Sequence, residues 1–80
     1  MSDSETKLND PTPGYQISEG TTLTGKYHGV DFHGTVMHRR THSMNRNQTE
    51  LTVKLSYSIN VYGADRNQII LSVNDKGECV

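Results

Sequence analysis

The chain has no tryptophan, one phenylalanine, one cysteine and two prolines in 80 residues. A lone Cys79 excludes an intrachain disulfide and a multi-thiolate metal site, and it fits a reducing, cytoplasmic setting. The longest aliphatic run, Ile69-Ile70-Leu71, falls far short of the roughly 20 apolar residues of a membrane-spanning helix, so no membrane partner is expected. The opening MSDSETKLND is polar and acidic rather than charged-then-apolar like a secretion signal. No segment repeats its apolar residues at helical spacing over three turns, which excludes a helix long enough to cover a sheet. Phosphate loops, metal-finger spacings and catalytic signatures are also missing. Leu, Ile, Val and Phe together supply only 16 residues, so the core of a domain this small is thin. Thin cores recruit metals, disulfides or further subunits, and a homo-oligomer is the expectation here.

What the chain does have is alternation. From Leu51 to Val61 every odd position is apolar (Leu51, Val53, Leu55, Tyr57, Ile59, Val61) and every even one is polar. A period of two means a half-buried strand. Eleven residues at roughly 3.3 Å each make about 36 Å, too long for a straight strand in a small domain, so a bend is expected near Ser56 to Ser58. Ile69, Leu71 and Val73 repeat the alternation after a turn-like stretch from Gly63 to Gln68, giving a hairpin. Upstream, Leu23, Gly25 and Tyr27 share one parity, and Phe32, Gly34 and Val36 another after the break at Gly29-Val30-Asp31. Gly25 and Gly34 lie within strand patterns and mark places where one backbone approaches another. The Asn-rich stretch His42 to Gln48 reads as an exposed loop. Four to five short strands without a covering helix predict an all-β fold: a small SH3-like barrel, with an OB-like barrel or small β-sandwich as the alternative.

Composition divides the chain into a flexible acidic arm over residues 1–19, a barrel domain over 20–75 and a short tail over 76–80. Both prolines, Pro11 and Pro13, fall in the arm. Residues 1–20 carry a net charge of −3 (Asp3, Glu5, Asp10 and Glu19 against Lys7). Residues 21–73 carry +3 (Lys26, Arg39, Arg40, Arg46, Lys54 and Arg66 against Asp31, Glu50 and Asp65). An acidic arm beside a mildly basic body either folds over it or keeps the protein soluble.

The run Gly25-Lys26-Tyr27-His28-Gly29-Val30-Asp31-Phe32-His33-Gly34-Thr35-Val36 resembles the first hairpin of SH3-like barrels of the Tudor kind, where Gly-x-Tyr-x-Gly-x-x-Phe/Trp-x-Gly/Ala-x-Val is common. The likeness covers about twelve residues directly. It implies a module that binds nucleic acid or protein rather than an enzyme, and fold analogy carries no more than that. The chain departs from the methylated-residue readers of that family by lacking their aromatic and acidic cluster.

Gly25 to His42 also holds all four histidines and an adjacent arginine pair. Metal binding is the first chemistry this suggests, since His28, Asp31, His33, His38 and His42 fall within fifteen residues. Strand parity divides them: His38 points away from His33 unless a bulge intervenes. No metal and no other cofactor is therefore expected. Ser43 beside His42 is only a sequence neighbour in a loop, and Asp31, Glu50 and Asp65 are explained by turns and strand starts, so catalysis is not expected either. Nucleic acid is the leading partner. Lys26, His28, His33 and Arg39 are expected on one outer face, with Arg40 and Arg46 nearby to contact phosphates. Asn45 and Asn47 would add hydrogen bonds to sugars or bases, and Tyr62 an exposed ring. The competing expectation is a protein-binding or self-assembling module, such as a phage or mobile-element protein that occupies a host protein, using the edge of a long strand.

Overall fold

A computed structural model describes residues 5–41 and 48–79. Five strands form one antiparallel sheet in chain order: β1 (Lys7–Leu8), β2 (Thr22–Tyr27), β3 (Val30–Thr41), β4 (Gln48–Val61) and β5 (Ala64–Asn74). The sheet curls into a half-barrel and almost no helix accompanies it, as the alternation requires. A 3-10 turn, Gly14–Gln16, lies between β1 and β2.

The core follows from parity. Leu51, Val53 and Leu55 on β4 meet Ile69, Leu71 and Val73 on β5, while Phe32 and Val36 on β3 and Leu23 on β2 complete the inner face. Each such side chain, once buried, contributes about 1.5–3 kcal/mol. The bend in β4 falls where the strand's length demands one: the β4–β5 register shifts between Lys54 and Ile59. The irregularity has a consequence the alternation alone does not show. Tyr57 has the inward parity, yet it leaves the core and stands 51 % exposed, while Ile59 and Val61 beyond the bend turn back in.

Two further departures come from long-range packing. The β4–β5 connection is shorter than the expected Gly63-to-Gln68 turn, because only Tyr62 and Gly63 separate Val61 from its partner Ala64. The arm expected over residues 1–19 is packed in its described part, residues 5–19. Leu8 is 5 % exposed and Ile17 2 % exposed, both within the core. The prolines do not release the segment. They steer it through the 3-10 turn at the end of the half-barrel, where Gly14 sits so close to the Val73 carbonyl and Thr49 that any larger residue would collide. Residues 76–79 of the expected tail are likewise fixed. The Asn74 carboxamide oxygen accepts from the Lys76 and Glu78 amides at 2.9 Å each, and Cys79 bridges antiparallel to Val73.

Among the described residues the sheet does not close on itself. Every neighbouring pair is antiparallel, so β1, β3 and β5 run in the same direction, and the two outermost strands are parallel to each other across the opening.

Candidate functional site

Two hairpin turns meet at one end of the half-barrel. Between Tyr27 and Val30 lie only His28 (φ 50°) and Gly29 (φ 84°); between Val61 and Ala64 lie only Tyr62 (φ 52°) and Gly63 (φ 79°). Positive φ at both central residues defines the type I′ turn, whose twist matches that of the flanking strands. Glycine adopts this backbone freely, but a bulky side chain in the left-handed region is strained. His28 and Tyr62 bear that strain with their rings in contact, centroids 5.3 Å apart, and Tyr27 meets His28 edge-on at 4.5 Å. Tyr27 packs against the core while Tyr62 is 78 % exposed, so the three rings step from interior to solvent.

Because little of Tyr62 is buried, its left-handed backbone is not offset by packing into the core. Tyr62→Asn is therefore expected to raise stability by about 0.5–1 kcal/mol, since asparagine suits the first position of this turn. Urea denaturation would measure it. A loss of stability would show that the contact with His28 outweighs the strain.

Beside this aromatic step the open side of the half-barrel forms a seam. A cleft of about 480 Å3 is lined by Glu5, Thr6, Tyr27, His28, Ile70, Leu71, Ser72 and Cys79. A second, of about 380 Å3, continues along the seam between Glu5–Leu8 and Pro11 on one side and Gly77–Cys79 on the other. Residues 5 and 6 are held in place by backbone and side-chain bonds to the first turn. The Gly29 amide donates to the Glu5 carbonyl at 2.9 Å, and the His28 amide donates to Thr6 Oγ1 at 3.0 Å. Glu5 is 3.6 Å from Lys7 Nζ, an exposed pair of small energetic worth. Opposite, Ile70 breaks the alternation of β5 by placing an aliphatic chain on the outer face, 55 % exposed, next to the buried Leu71. Burial pushes the Cys79 thiol above its ordinary pKa, so it stays protonated at neutral pH and is a poor nucleophile.

The residues expected to form a basic face are dispersed. Lys26 and His33 are exposed on the outer face, but Lys26 stands in register with Asp31, and His33 Nδ1 shares a 2.7 Å hydrogen bond with Ser56 Oγ. Arg40 is exposed and stands opposite Glu50. Arg39 is a correction. A register shift between Val36 and His38 reverses the parity of β3, and Arg39 pairs with the buried Leu51 on the inner face instead of joining Lys26 and His33. There its Nη2 donates to the Tyr15 carbonyl at 3.0 Å, tying the 3-10 turn to β3. Its Nε is buried and lacks a hydrogen-bond partner among the described residues. His28 and Tyr62 are brought together; Asn45, Arg46 and Asn47 lie outside the described residues, as does His42.

The described histidines do not converge. His38 Nδ1 is 3.6 Å from Glu19 on the surface, and among the described residues no three His, Cys, Asp or Glu side chains are grouped to hold a metal ion. Among the described residues no helix is long and apolar enough to cross a membrane. Sequence reasoning passed over Glu5, Thr6, Ile70 and Ser72. The available signal was Ile70, an aliphatic residue out of phase with Ile69 and Leu71. No family model, curated protein or solved structure matches the chain.

Proposed function

We propose that this chain is a non-enzymatic protein-binding module that takes an extended segment of another protein against the open seam of its half-barrel. The observation that carries this reading is the seam itself: the outer edge of β5 bears exposed Ile70 and faces Glu5 and Thr6 across a cleft of about 480 Å3. Free strand edges present unpaired backbone groups, and strand addition is a general way for small β-domains to recognise peptides. The likeness of the first hairpin to SH3-like barrels of the Tudor kind supports a binding role of this sort. The outer-face charges favour protein over polyanion, because Lys26 and Arg40 stand in register with Asp31 and Glu50.

The test is selection of binders to the intact chain from a displayed library of random extended peptides. Selected peptides should perturb the amide resonances of Thr6 and of Ile70 to Ser72, and their affinity should change less than about threefold between about 50 and about 500 mM salt. Perturbation confined to the face of Lys26 and His33, or recovery of no binder, rejects the reading.

A second reading rests on a different observation, the exposed Tyr62 ring against His28 with Lys26 on the adjoining strand. Such a step can stack a base of single-stranded nucleic acid, an interaction whose loss on alanine substitution costs about 1–3 kcal/mol per base. It predicts that a labelled single-stranded oligonucleotide binds at low salt, that binding weakens steeply with added salt, and that Tyr62→Ala lowers affinity at least fivefold by that estimate. No binding at low salt eliminates it.

A further inference from the structure

We infer that the seam is a slot for one strand running antiparallel to both β1 and β5, supplied by a partner protein as a segment that alternates apolar and polar residues. The inference rests on the protein-binding reading above and specifies what that site accepts.

Strand direction carries the argument. A meander of five antiparallel strands leaves its two edges parallel to each other. Direct pairing of β5 with β1 would join two strands of the same direction, without the crossover by which chains normally build parallel pairs. One strand of the opposite direction would pair antiparallel on both sides, completing the barrel and removing both edges. Among the described residues nothing fills that position beside Ile70, Leu71 and Ser72.

The end of the chain already marks the path. Past the turn at Gly77 the backbone reverses, the Asn74 amide donates to the Glu78 carbonyl at 2.9 Å, and Cys79 pairs antiparallel with Val73. Residues 78 and 79 therefore lie on the outer edge of β5 in the direction the slot requires. An occupant in line with them would lie along Ser72, Leu71 and Ile70, the β5 wall of the larger cleft. This continuity with an existing strand contact sets both the edge used and its direction.

The walls set the chemistry. Leu71 is buried and Tyr27 packs against the core, so side chains of the incoming strand that share their face must be apolar. Ser72 and Ile70 have the opposite parity, and the chains beside them reach solvent. Glu5 and Glu78 line the two clefts against one cation, Lys7, which favours a basic residue among the outward positions.

The experiment feeds the slot from the end of the chain that leads into it, so that a short generic strand acts at high effective concentration. Two variants carry four residues appended after Val80: Val-Arg-Val-Thr, which places valine opposite Leu71, and Arg-Val-Thr-Val, of identical composition with the parity reversed. Hydrogen exchange and light scattering are measured on both and on the unaltered chain. The expected result is a monomeric unaltered chain with a fast-exchanging amide at Ile70, which shares the outward side of the Asn74 amide, and exchange at least about tenfold slower there in the first variant only. Equal protection in both variants overturns the alternation, and protection in neither overturns the slot. A dimeric unaltered chain with the Ile70 amide already protected assigns the slot to a second copy and overturns the partner segment. Peptide selection on the unaltered chain tests the broader binding reading independently, so the two can fail separately.

Discussion

A chain lacking residues 1–19 is expected to be unfolded at 25 °C, or to melt at least about 15 °C below the intact chain. The reason lies in two side chains. Leu8 and Ile17, 5 % and 2 % exposed, belong to the core rather than to a solvated arm. Their burial contributes about 1.5–3 kcal/mol each, or roughly 3–6 kcal/mol together. A domain of this length holds only about 4–12 kcal/mol in total. The deletion also removes β1 from its pairing with Lys26 and Gly25, and the 3-10 turn from its contact with Arg39. Thermal melting followed by circular dichroism decides the matter. A transition within about 5 °C of the intact chain would mean that residues 5–19 are an ornament on a self-sufficient sheet.

Local patterns were legible in the sequence and long-range ones were not. The alternation from Leu51 to Val61 identifies β4 and its bend because period two is a local property of an extended backbone. The same rule misplaces Arg39. One register shift after Val36 reverses every later residue of β3, and nothing in the local composition marks where the ladder slips. Tyr57 fails for a similar reason: its parity is correct, but it falls inside the irregular stretch between Lys54 and Ile59. Leu8 and Ile17 are isolated apolar residues among Pro11, Pro13 and Gly14 and show no period at all. Only the sheet they pack against gives them a place.

The candidate site divides along the same line. His28 and Tyr62 are each recognisable beside a turn glycine, but their meeting requires that two hairpins, 34 positions apart in the chain, end at the same rim. The seam is still less visible. It depends on how many strands form, on which direction the outermost two run, and on the path of Glu5 and Thr6, none of which is encoded in a short window. Ile70 is the exception, since an aliphatic residue out of phase on an outermost strand indicates an edge with something to cover.

Gly25 connects the fold to the seam, and Gly25→Val is expected to detach β1 while leaving β2 to β5 folded. A Cβ at this position would run into the Lys7 carbonyl oxygen and lie 2.9 Å from Leu8 Cα. Both are backbone atoms, so no side-chain rotation relieves the clash and β1 itself must move. On the other side of β2, the pairing of Gly25 with Phe32 tolerates valine, which suits an extended backbone better than glycine does. The cost is the burial of Leu8 and the short β1 ladder, about 2–3 kcal/mol, which corresponds to a melting temperature roughly 8–24 °C lower with the transition still cooperative. Amide exchange should then show protection lost at Asn9, whose amide donates to the Thr24 carbonyl at 3.0 Å, and retained from Leu51 to Lys54 and at Ile69, Leu71 and Val73, whose amides face β4. Because Glu5 and Thr6 move with β1, peptides selected on the intact chain should lose at least about tenfold in affinity for this variant, although no residue of the β5 wall has changed. Unaltered melting with Asn9 still protected would show that β1 and Gly25 do not meet as described, and full affinity with β1 detached would confine recognition to the edge of β5.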